Sequence, residues 1–400
     1  LPGRSNSTPG KRSWVGRPGC GGPPLKVLGL MSGTSFDGID VALLEVEDTD
    51  SPCPDWELLA FRTRGFRMEE RRTIRDALDS GGPRELALLH TALGEWFSKA
   101  AMELLGEAGT EPQEVEALGS HGQTVWHDPP LEDRRGTSLQ LGCPATIAER
   151  TGIDVISDFR SRDLAAGGHG APLVPFADRV FFSSPKGPRA VHNIGGMSNV
   201  TWLPRSSDPT PLLAFDTGPG VALLDWAAEL ATGGALTFDE GGRLAGMGEV
   251  SEPILMELLS DPFFGQAPPK STGRELFGRS LVEKAITSFD WGEELVSGSP
   301  HAGWPNLLAT LSALTARSIG DAYRNWVLPR GLDEVFLMGG GSRNPVLFRG
   351  IEAELTPVPV RPGAVIGMDP DAREAAAFAL LAWAHVRGIP ANAPEATGSR

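Results

Sequence analysis

The sequence predicts an α/β protein made of two related halves. Short apolar runs alternate along the chain with stretches whose apolar residues recur at helical spacing, such as residues 84–107, and this alternation is typical of α/β folds. A pattern of strand, small-residue turn and strand begins at Lys26 and restarts near Arg189, which indicates a weak internal repeat. Four glycine-rich turns directly follow short apolar runs. We therefore predict two α/β domains, residues 25–185 and 186–400.

Composition excludes several classes of protein and partner. The 400 residues suffice for two domains of about 100 to 200 residues each. The formal net charge of −15 argues against a nucleic-acid partner and an anionic membrane surface, because both need a basic footprint. No apolar run approaches the roughly 20 residues that span a bilayer, and three scattered cysteines predict neither a disulfide framework nor a zinc site. We expect a cytoplasmic protein, and we interpret the Gly- and Pro-rich residues 1–24 as a disordered extension.

The first predicted hairpin is shaped to hold an anion. Two apolar runs, residues 26–31 and 39–44, flank a turn in which glycines permit positive φ and hydroxyl groups lie beside backbone amides. The turn residues concerned are Gly33, Thr34, Ser35 and Gly38. The turn differs from a P-loop, since no Gly-Lys-Ser/Thr sequence follows it. Two nearby acids, Asp37 and Asp40, could bind Mg²⁺ through water, and ordinary turn hydrogen bonds are the alternative.

Three later turns, NIGGMSN, FDTGPG and LMGGGSRNP, are also rich in glycine and directly follow short apolar runs. Each turn alone is explained by a hairpin that needs positive φ. Ligands of open α/β sheets lie beyond the carboxyl ends of the strands, so four such turns together could enclose a phosphorylated ligand with their backbone amides. The glycines that we assign to nucleotide binding on this ground are Gly195, Gly196, Gly218, Gly339, Gly340 and Gly341.

Asp216 is the candidate for the chemical step. It ends a predicted apolar strand and is followed by the small-residue stretch Gly218, Pro219 and Gly220, so we expect its carboxylate on a rigid turn at the cleft between the domains. A carboxylate in that position suits a general base. The alternative is an aspartate that caps its own turn through its side chain.

The segment SHGQTVWH carries polar residues directly after a predicted strand. Gln123 and Thr124 offer short neutral donors that suit sugar hydroxyls or an amide. His121 and His127 could be read as a metal pair, but their spacing is not that of two ligands on one helical face. We interpret them as hydrogen-bonded loop histidines.

Two further segments offer cations for an anionic ligand. Arg160 and Arg162 could bind a substrate carboxylate in bidentate fashion, and ion pairs with the neighbouring aspartates are the alternative. The segment PPKSTGREL places Lys270 and Arg274 after a double proline. It could be a mobile anion-binding loop, or simply a helix start capped by its Ser or Thr.

The chain resembles the anhydro-N-acetylmuramic acid kinase family in seven motifs that occur in this order: MSGTSFDGID, GSHGQTVWHDP, IAERTGIDVISDFRSRDLAAGGHGAPLVP, NIGGMSNVT, FDTGPG, PPKSTGREL and GGGSRNP. The resemblance implies the two-domain actin-like ATPase fold of the sugar kinase, Hsp70 and actin superfamily, with a central nucleotide cleft. It also implies ATP and Mg²⁺ as cofactors and a small sugar as substrate. In the implied reaction, ATP phosphorylates the 6-oxygen of 1,6-anhydro-N-acetylmuramic acid while water opens the anhydro bridge, during cell-wall recycling.

The resemblance also implies roles for single residues. Asp216 resembles the base that takes a proton from the attacking water, and residues 33–40 and 339–341 resemble the nucleotide-binding turns. Three side chains look like sugar contacts, namely Thr124, Arg162 and Glu374. Glu374 opens a predicted closing helix, residues 373–387, which would have to return to the cleft.

Two residues depart from the family pattern, and two rival functions stay open. Val221 stands where we expect Asn, and His169 stands where Gln is usual; either change could alter sugar affinity. The first rival function is another sugar or small-molecule kinase of the same fold, and the second is a non-catalytic ATP-binding switch. The resemblance leaves a homodimer open.

Overall fold

A computed structural model describes residues 22–33, 36, 38–51, 53–130, 134–208, 210–288, 296–298, 301 and 303–399. Three predicted site residues, Thr34, Ser35 and Asp37, lie outside this described part. The strands are β1 (Leu25–Ser32), β2 (Gly38–Val46), β3 (Trp56–Gly65), β4 (Val115–Asp128), β5 (Thr137–Leu141), β6 (Val155–Ile156), β7 (Arg189–Ile194), β8 (Met197–Leu203), β9 (Leu213–Pro219), β10 (Glu334–Met338) and β11 (Val360–Pro362). The α-helices are α1 (Met68–Ser80), α2 (Pro83–Ala108), α3 (Pro144–Thr151), α4 (Phe159–Ala165), α5 (Pro175–Phe182), α6 (Ala222–Ala231), α7 (Glu252–Leu259), α8 (Pro262–Gly265), α9 (Arg279–Ser288), α10 (Gly303–Ala322), α11 (Pro345–Leu355), α12 (Arg373–Val386) and α13 (Pro394–Thr397).

The two sheets repeat one topology. In the first sheet the strand order is β3-β2-β1-β4-β5, with β6 also paired to β4. Strands β1, β2 and β3 form an antiparallel meander, and β4 joins β1 in parallel. The second sheet has the order β9-β8-β7-β10-β11, again with an antiparallel meander and a parallel neighbour of its first strand. The repeat confirms the predicted actin-like α/β fold, in which each half is built on one such mixed sheet.

Helix α12 lies between the two sheets. Its sequence, REAAAFALLAWAHV, is apolar on nearly all sides, which is typical of a helix that is buried all round. Its side chains share a core cluster with Val27 and Leu44 of the first sheet and with Val191 and Phe336 of the second. The end of the chain therefore packs back between the halves and carries its first turn toward the cleft.

Two glycines allow α12 to lie directly against the first sheet. A Cβ at Gly29 of β1 would lie 1.9 Å from the carbonyl oxygen of Ala375, and a Cβ at Gly119 of β4 would lie 2.0 Å from that of Phe378. No rotamer change can relieve such a contact, because the backbone fixes the position of a Cβ and the contacted carbonyl oxygen is itself a backbone atom. The close approach of helix and sheet thus depends on these two missing side chains.

We expect Gly29→Ala to destabilise the protein by about 1–3 kcal/mol or more, because the added methyl group overpacks a fixed backbone contact. Urea denaturation measures the change. Gly106→Ala in α2 is the matched control, since a Cβ there would meet nothing within 4 Å. That variant should be neutral or slightly stabilising. Equal stabilities of the two variants would contradict the close-packing interpretation.

The structure corrects two local predictions and decides against one alternative. Asp216 does not end a strand, because β9 continues to Pro219 and pairs with β8 along this length. The segment SHGQTVWH is not a loop but the second half of β4, which pairs with β5 from Gln123 onward. No helix starts in PPKSTGREL, since the next α-helix begins only at Arg279. In the two strand cases, a neighbouring strand extends the pairing beyond the apolar run.

Within the described residues, no helix is long and apolar enough to cross a membrane.

Candidate active site

Two adjoining cavities lie where turns of the two sheets face each other. We call the first one the hairpin cavity, which has a volume of about 620 Å³. It is lined by Met31, Ser32, Gly33, His121, Thr124, Arg160, Gly196, Met197, Gly273, Arg274 and Glu374. It therefore lies between the end of β1, the second half of β4, the β7–β8 turn and the start of α12.

We call the second one the base cavity, which has a volume of about 650 Å³ and contains Asp216. Arg160, Gly273 and Glu374 line both cavities. The two cavities therefore adjoin along these residues. A ligand in one of them would lie next to a ligand in the other.

Three polar residues form a row across the second sheet and line the base cavity. Asn193 of β7 pairs with Asn199 of β8, and Asn199 pairs with Asp216 of β9. Directly paired residues on adjacent strands carry their side chains on the same face, with Cβ atoms about 4.5–5.5 Å apart. All three residues line the base cavity. The row thus presents one carboxylate and two neutral amides to a bound ligand.

The loop between α8 and α9 fixes Asp216 from two sides. The Asp216 N–H donates to the Lys270 carbonyl at 3.0 Å, and the Thr272 N–H donates to Asp216 Oδ2 at 2.9 Å. The Lys270 ammonium donates to the carbonyls of Phe263 and Phe264, at 3.0 and 3.3 Å, rather than to the carboxylate. Within the described part of the chain, only one oxygen of Asp216 accepts a hydrogen bond. The other oxygen is in place to accept a proton.

Burial raises the pKa of Asp216 to about 6. The Thr272 hydrogen bond and the Lys270 ammonium oppose this shift because they favour the charged form, while the Glu275 carboxylate adds to it. A carboxylate with this pKa is a better proton acceptor than an ordinary aspartate, and most of it is still ionised at pH 7.

The raised pKa of Asp216 predicts the pH dependence of turnover. A general base works only when it is deprotonated, so kcat/KM should fall about tenfold per pH unit below pH 6 and level off above pH 7. A pH series of initial rates with saturating ATP measures this profile. A flat profile between pH 5 and 7 would contradict the role of Asp216 as the base.

His121 orients Arg160 in the cleft. His121 Nδ1 lies 2.9 Å from the Gly122 carbonyl oxygen, which can only accept, so Nδ1 carries the proton. The other ring nitrogen, Nε2, is then free to accept the Arg160 Nε–H at 2.9 Å. Burial, helped by the charge of Arg160, holds the pKa of His121 well below its usual range. Arg160 Nη1 also donates to the Gly170 carbonyl at 2.7 Å, so its guanidinium is fixed at two points.

Glu374 reaches both cavities from the first turn of α12. The residue before it, Arg373, forms a bidentate ion pair with Asp178 of α5, with N–O distances of 2.8 and 2.5 Å. Both side chains of that pair are at most 4% exposed. The buried pair fixes the start of α12 and with it the position of Glu374, whose charge acts on Arg160.

The sequence profile of the family Anhydro-N-acetylmuramic acid kinase matches residues 25–400. The chain belongs to this family. The anhydro-N-acetylmuramic acid kinase of Caldanaerobacter subterraneus subsp. tengcongensis is 41% identical over 381 residues, which cover 94% of each chain. The enzyme of that name from Gloeobacter violaceus is 41% identical over 385 residues, covering 94% of this chain and 96% of the relative.

Solved structures show more distant similarity. The activator of the 2-hydroxyisocaproyl-CoA dehydratase from Clostridium difficile, solved with bound ADPNP, is 14% identical, with a TM-score of 0.45 and coverage of 91% and 96%. A ROK family glucokinase from Streptomyces griseus, solved with glucose and AMPPNP, is 11% identical, with a TM-score of 0.38 and coverage of 90% and 99%.

In this member of the anhydro-N-acetylmuramic acid kinase family, Gln123 supports the first hairpin. Its side chain is fully buried. Its Nε2 donates to the Gly33 carbonyl at 3.1 Å, and its Oε1 lies 2.7 Å from the Ser32 hydroxyl. The amide is therefore occupied by the chain itself, and direct sugar binding by Gln123 stays a prediction. Thr124, the next residue, does line the hairpin cavity.

Seven of the eight predicted nucleotide-binding glycines fall into two groups. Gly33 and Gly196 line the hairpin cavity, and Gly340 is exposed, with no atom within 4 Å of the place that a Cβ would take. At four others, a Cβ would lie 2.8 Å or less from a neighbouring atom, namely Gly38, Gly218, Gly339 and Gly341. Close chain packing explains this second group, whose contact with a nucleotide stays a prediction. Gly195 accepts the Val221 N–H with its carbonyl oxygen at 2.9 Å.

Arg162 lines neither the hairpin cavity nor the base cavity. It is exposed and lines a third cavity of about 780 Å³ beside α13, which shares only Pro172 and Leu173 with the base cavity. Arg160, two residues earlier, lines both the hairpin cavity and the base cavity. Residues two apart on the short helix α4 point in different directions. The geometry of this segment therefore favours Arg160 over Arg162 as the sugar contact.

Sequence reasoning missed Asn193 and Asn199. A signal for their pairing was present, because they stand at equal distances on either side of Gly196 in the motif NIGGMSN. A tight hairpin centred there brings such residues opposite each other. Their position beside Asp216 depends on the pairing of β8 with β9, and no local pattern in the sequence indicates that register.

Asp40 is the described member of the predicted Mg²⁺ pair. Its Oδ1 accepts a hydrogen bond from the Thr63 hydroxyl at 2.5 Å. No group of three His, Cys, Asp or Glu side chains suited to a metal ion occurs in the described ranges. The described side chains therefore do not form a metal site by themselves. Mg²⁺ that arrives with ATP needs only one or two carboxylates besides phosphate oxygens. The role of Asp40 stays a prediction.

Proposed function

We propose that this chain uses ATP and water to convert 1,6-anhydro-N-acetylmuramic acid to N-acetylmuramic acid 6-phosphate, in the recycling of cell-wall peptidoglycan. Membership of the anhydro-N-acetylmuramic acid kinase family supports the reaction class. The observation that carries the proposal is Asp216, a fixed carboxylate with a pKa of about 6 in a cavity that adjoins the cleft between the two hairpins.

We assign the base cavity and its border with the hairpin cavity to the sugar. Arg160 and Glu374 offer a cation and an anion at this border, and Thr124 offers a hydroxyl in the hairpin cavity. This set suits a sugar that carries a carboxylate and several hydroxyl groups. Asn193 and Asn199 add neutral amides that suit its acetamido or hydroxyl groups. The two asparagines lie beside Asp216, which fits a sugar ring placed over the row.

The proposed chemistry requires one base and one phosphoryl donor. Asp216 takes a proton from water, whose oxygen forms a bond to the anomeric carbon while the bond from that carbon to the 6-oxygen breaks. The released 6-oxygen attacks the γ-phosphorus of ATP, and the bond from phosphorus to the β–γ bridging oxygen breaks. ADP leaves, and the proton on Asp216 passes to solvent. One carboxylate therefore serves both bond changes.

We assign the nucleotide to the side of the cleft formed by Gly33, Gly196 and Gly340. Backbone amides at such turns favour anions, which suits ATP binding by a chain of net charge −15. Mg²⁺ bound to the ATP phosphates would reduce their repulsion of the incoming oxygen, and Asp40 is the candidate carboxylate beside it. The domains that we propose around this cleft remain residues 25–185 and 186–400.

Isotope labelling tests the reaction. The chain is incubated with ATP and the anhydro sugar in ¹⁸O water, and the product mass is measured before and after removal of the phosphate. The proposal requires one ¹⁸O at the anomeric carbon and none in the phosphoryl group. Equal turnover of ordinary hexoses would favour another kinase of the same fold. Nucleotide binding without any phosphorylated product would favour a binding switch.

A further inference from the structure

The proposed phosphoryl transfer needs positive charge beside the γ-phosphate. The transition state spreads negative charge over three phosphoryl oxygens, and enzymes stabilise it with cations and fixed donors. The chain as a whole is strongly acidic, so general attraction cannot supply this charge. Beside the Mg²⁺ that would come with ATP, a cationic side chain near the turns of the hairpin cavity would supply further positive charge.

The start of helix α6 is partly occupied by the chain itself. Its first N–H groups would ordinarily favour an anion, and they lie next to the β7–β8 turn. However, the Val221 N–H donates to the Gly195 carbonyl at 2.9 Å, and the Gly220 and Ala222 N–H groups donate to the Gly196 carbonyl at 2.9 and 3.1 Å. The β7–β8 turn thus occupies these three N–H groups, and a helix start carries only a partial positive charge.

Arg160 is also engaged elsewhere. Its guanidinium is fixed by His121 and by the Gly170 carbonyl, and the charge of Glu374, which lines the same two cavities, attracts it. Its position suits the sugar, as proposed above. Of the two arginines that line the hairpin cavity, Arg274 therefore remains.

Arg274 lies where a phosphate could bind, and its N–H groups are available to donate to it. It is exposed, and its Nη2 lies 3.8 Å from the position that a Cβ of Gly196 would take. Among the described residues, its side chain makes no hydrogen bond and no ion pair within 4 Å. The nearby carboxylate is Asp225 of α6, whose pKa burial raises to about 7 and Arg274 lowers. The guanidinium is thus held over the β7–β8 turn by electrostatic attraction without being saturated.

We propose that Arg274 contacts the transferred phosphoryl group of ATP and stabilises its charge in the transition state. This inference rests on the proposed function and adds a catalytic residue to it. The guanidinium can donate two parallel N–H bonds to phosphoryl oxygens. It lies one residue from Gly273, which lines both cavities, so it meets the phosphate where the sugar and nucleotide sites adjoin.

Kinetics of Arg274→Ala test the inference. We expect kcat to fall about 10²- to 10³-fold, because a donor to the transition state is lost. The affinity for ADP, which lacks the transferred group, should change less than about threefold on calorimetric titration. Arg274→Lys should lie between wild type and Arg274→Ala, because it keeps the charge and loses the bidentate geometry. Guanidinium at a non-denaturing concentration should partly restore Arg274→Ala.

Arg72→Ala is the control, since it removes the same charge from a side chain that is 83% exposed on α1. Its kcat and its affinity for ADP should match those of the wild type. Turnover of Arg274→Ala within about threefold of wild type, or an equal loss of ADP binding and turnover, would overturn the inference. If the wild-type chain itself yields no phosphorylated sugar, the proposed function is wrong and the inference falls with it. If wild type and Arg274→Ala turn over equally, only the inference is wrong.

Discussion

Asp216→Asn should lower kcat by about 10²- to 10⁴-fold, the range typical for loss of a positioned general base. Asparagine has nearly the same shape, and its carbonyl oxygen can still accept the Thr272 N–H that now binds Oδ2. It cannot take a proton from water. Folding and ATP binding should therefore persist while the chemical step is lost. Coupled detection of ADP release measures turnover, and calorimetric titration measures ATP binding.

A second acid serves as the control for this substitution. Asp76→Asn changes a side chain that is 69% exposed on α1 and lies outside both cavities, so it should leave turnover unchanged. The residual activity of Asp216→Asn should also lose the pH dependence near pH 6. An Asp216→Asn variant with more than a tenth of wild-type turnover would refute the assignment of the base.

Asp178→Asn should destabilise the protein by about 3–5 kcal/mol, because it leaves the charge of Arg373 buried without its partner. The two side chains are 0% and 4% exposed and meet in two hydrogen bonds. Loss of this ion pair should also disturb the start of α12, where Glu374 follows Arg373. Urea denaturation measures the change in the free energy of unfolding, and the KM for the sugar should rise.

The neighbouring pair on the same helix gives a matched comparison. Arg179 bonds Glu395 at 3.0 Å with side chains that are 40% and 24% exposed. Glu395→Gln should cost no more than about 1 kcal/mol, because water screens and replaces an exposed pair. A double variant, Asp178→Leu with Arg373→Leu, should cost less than Asp178→Asn, since no unpaired charge remains. Equal costs for Asp178→Asn and Glu395→Gln would contradict this account.

Local patterns in the amino-acid sequence were enough to predict the architecture and the family. Apolar periodicity and the restart near Arg189 predicted two α/β halves, and the order of the motifs identified the family. These features can be read without a structure, because strand and helix periods and glycine-rich turns are set by neighbouring residues. Asp216 could be singled out as a candidate for the same reason, since its motif is contiguous.

Which side chains meet depends on the tertiary fold. Asn199 lies beside Asp216 through strand register, Arg160 rather than Arg162 reaches the cleft through the orientation of α4, and Gln123 turns inward to support a hairpin. Each outcome requires contacts between residues far apart in the chain. The pKa of Asp216 also depends on the tertiary fold. Burial raises this pKa, and the loops and strands that bury Asp216 are not placed around it by any local pattern.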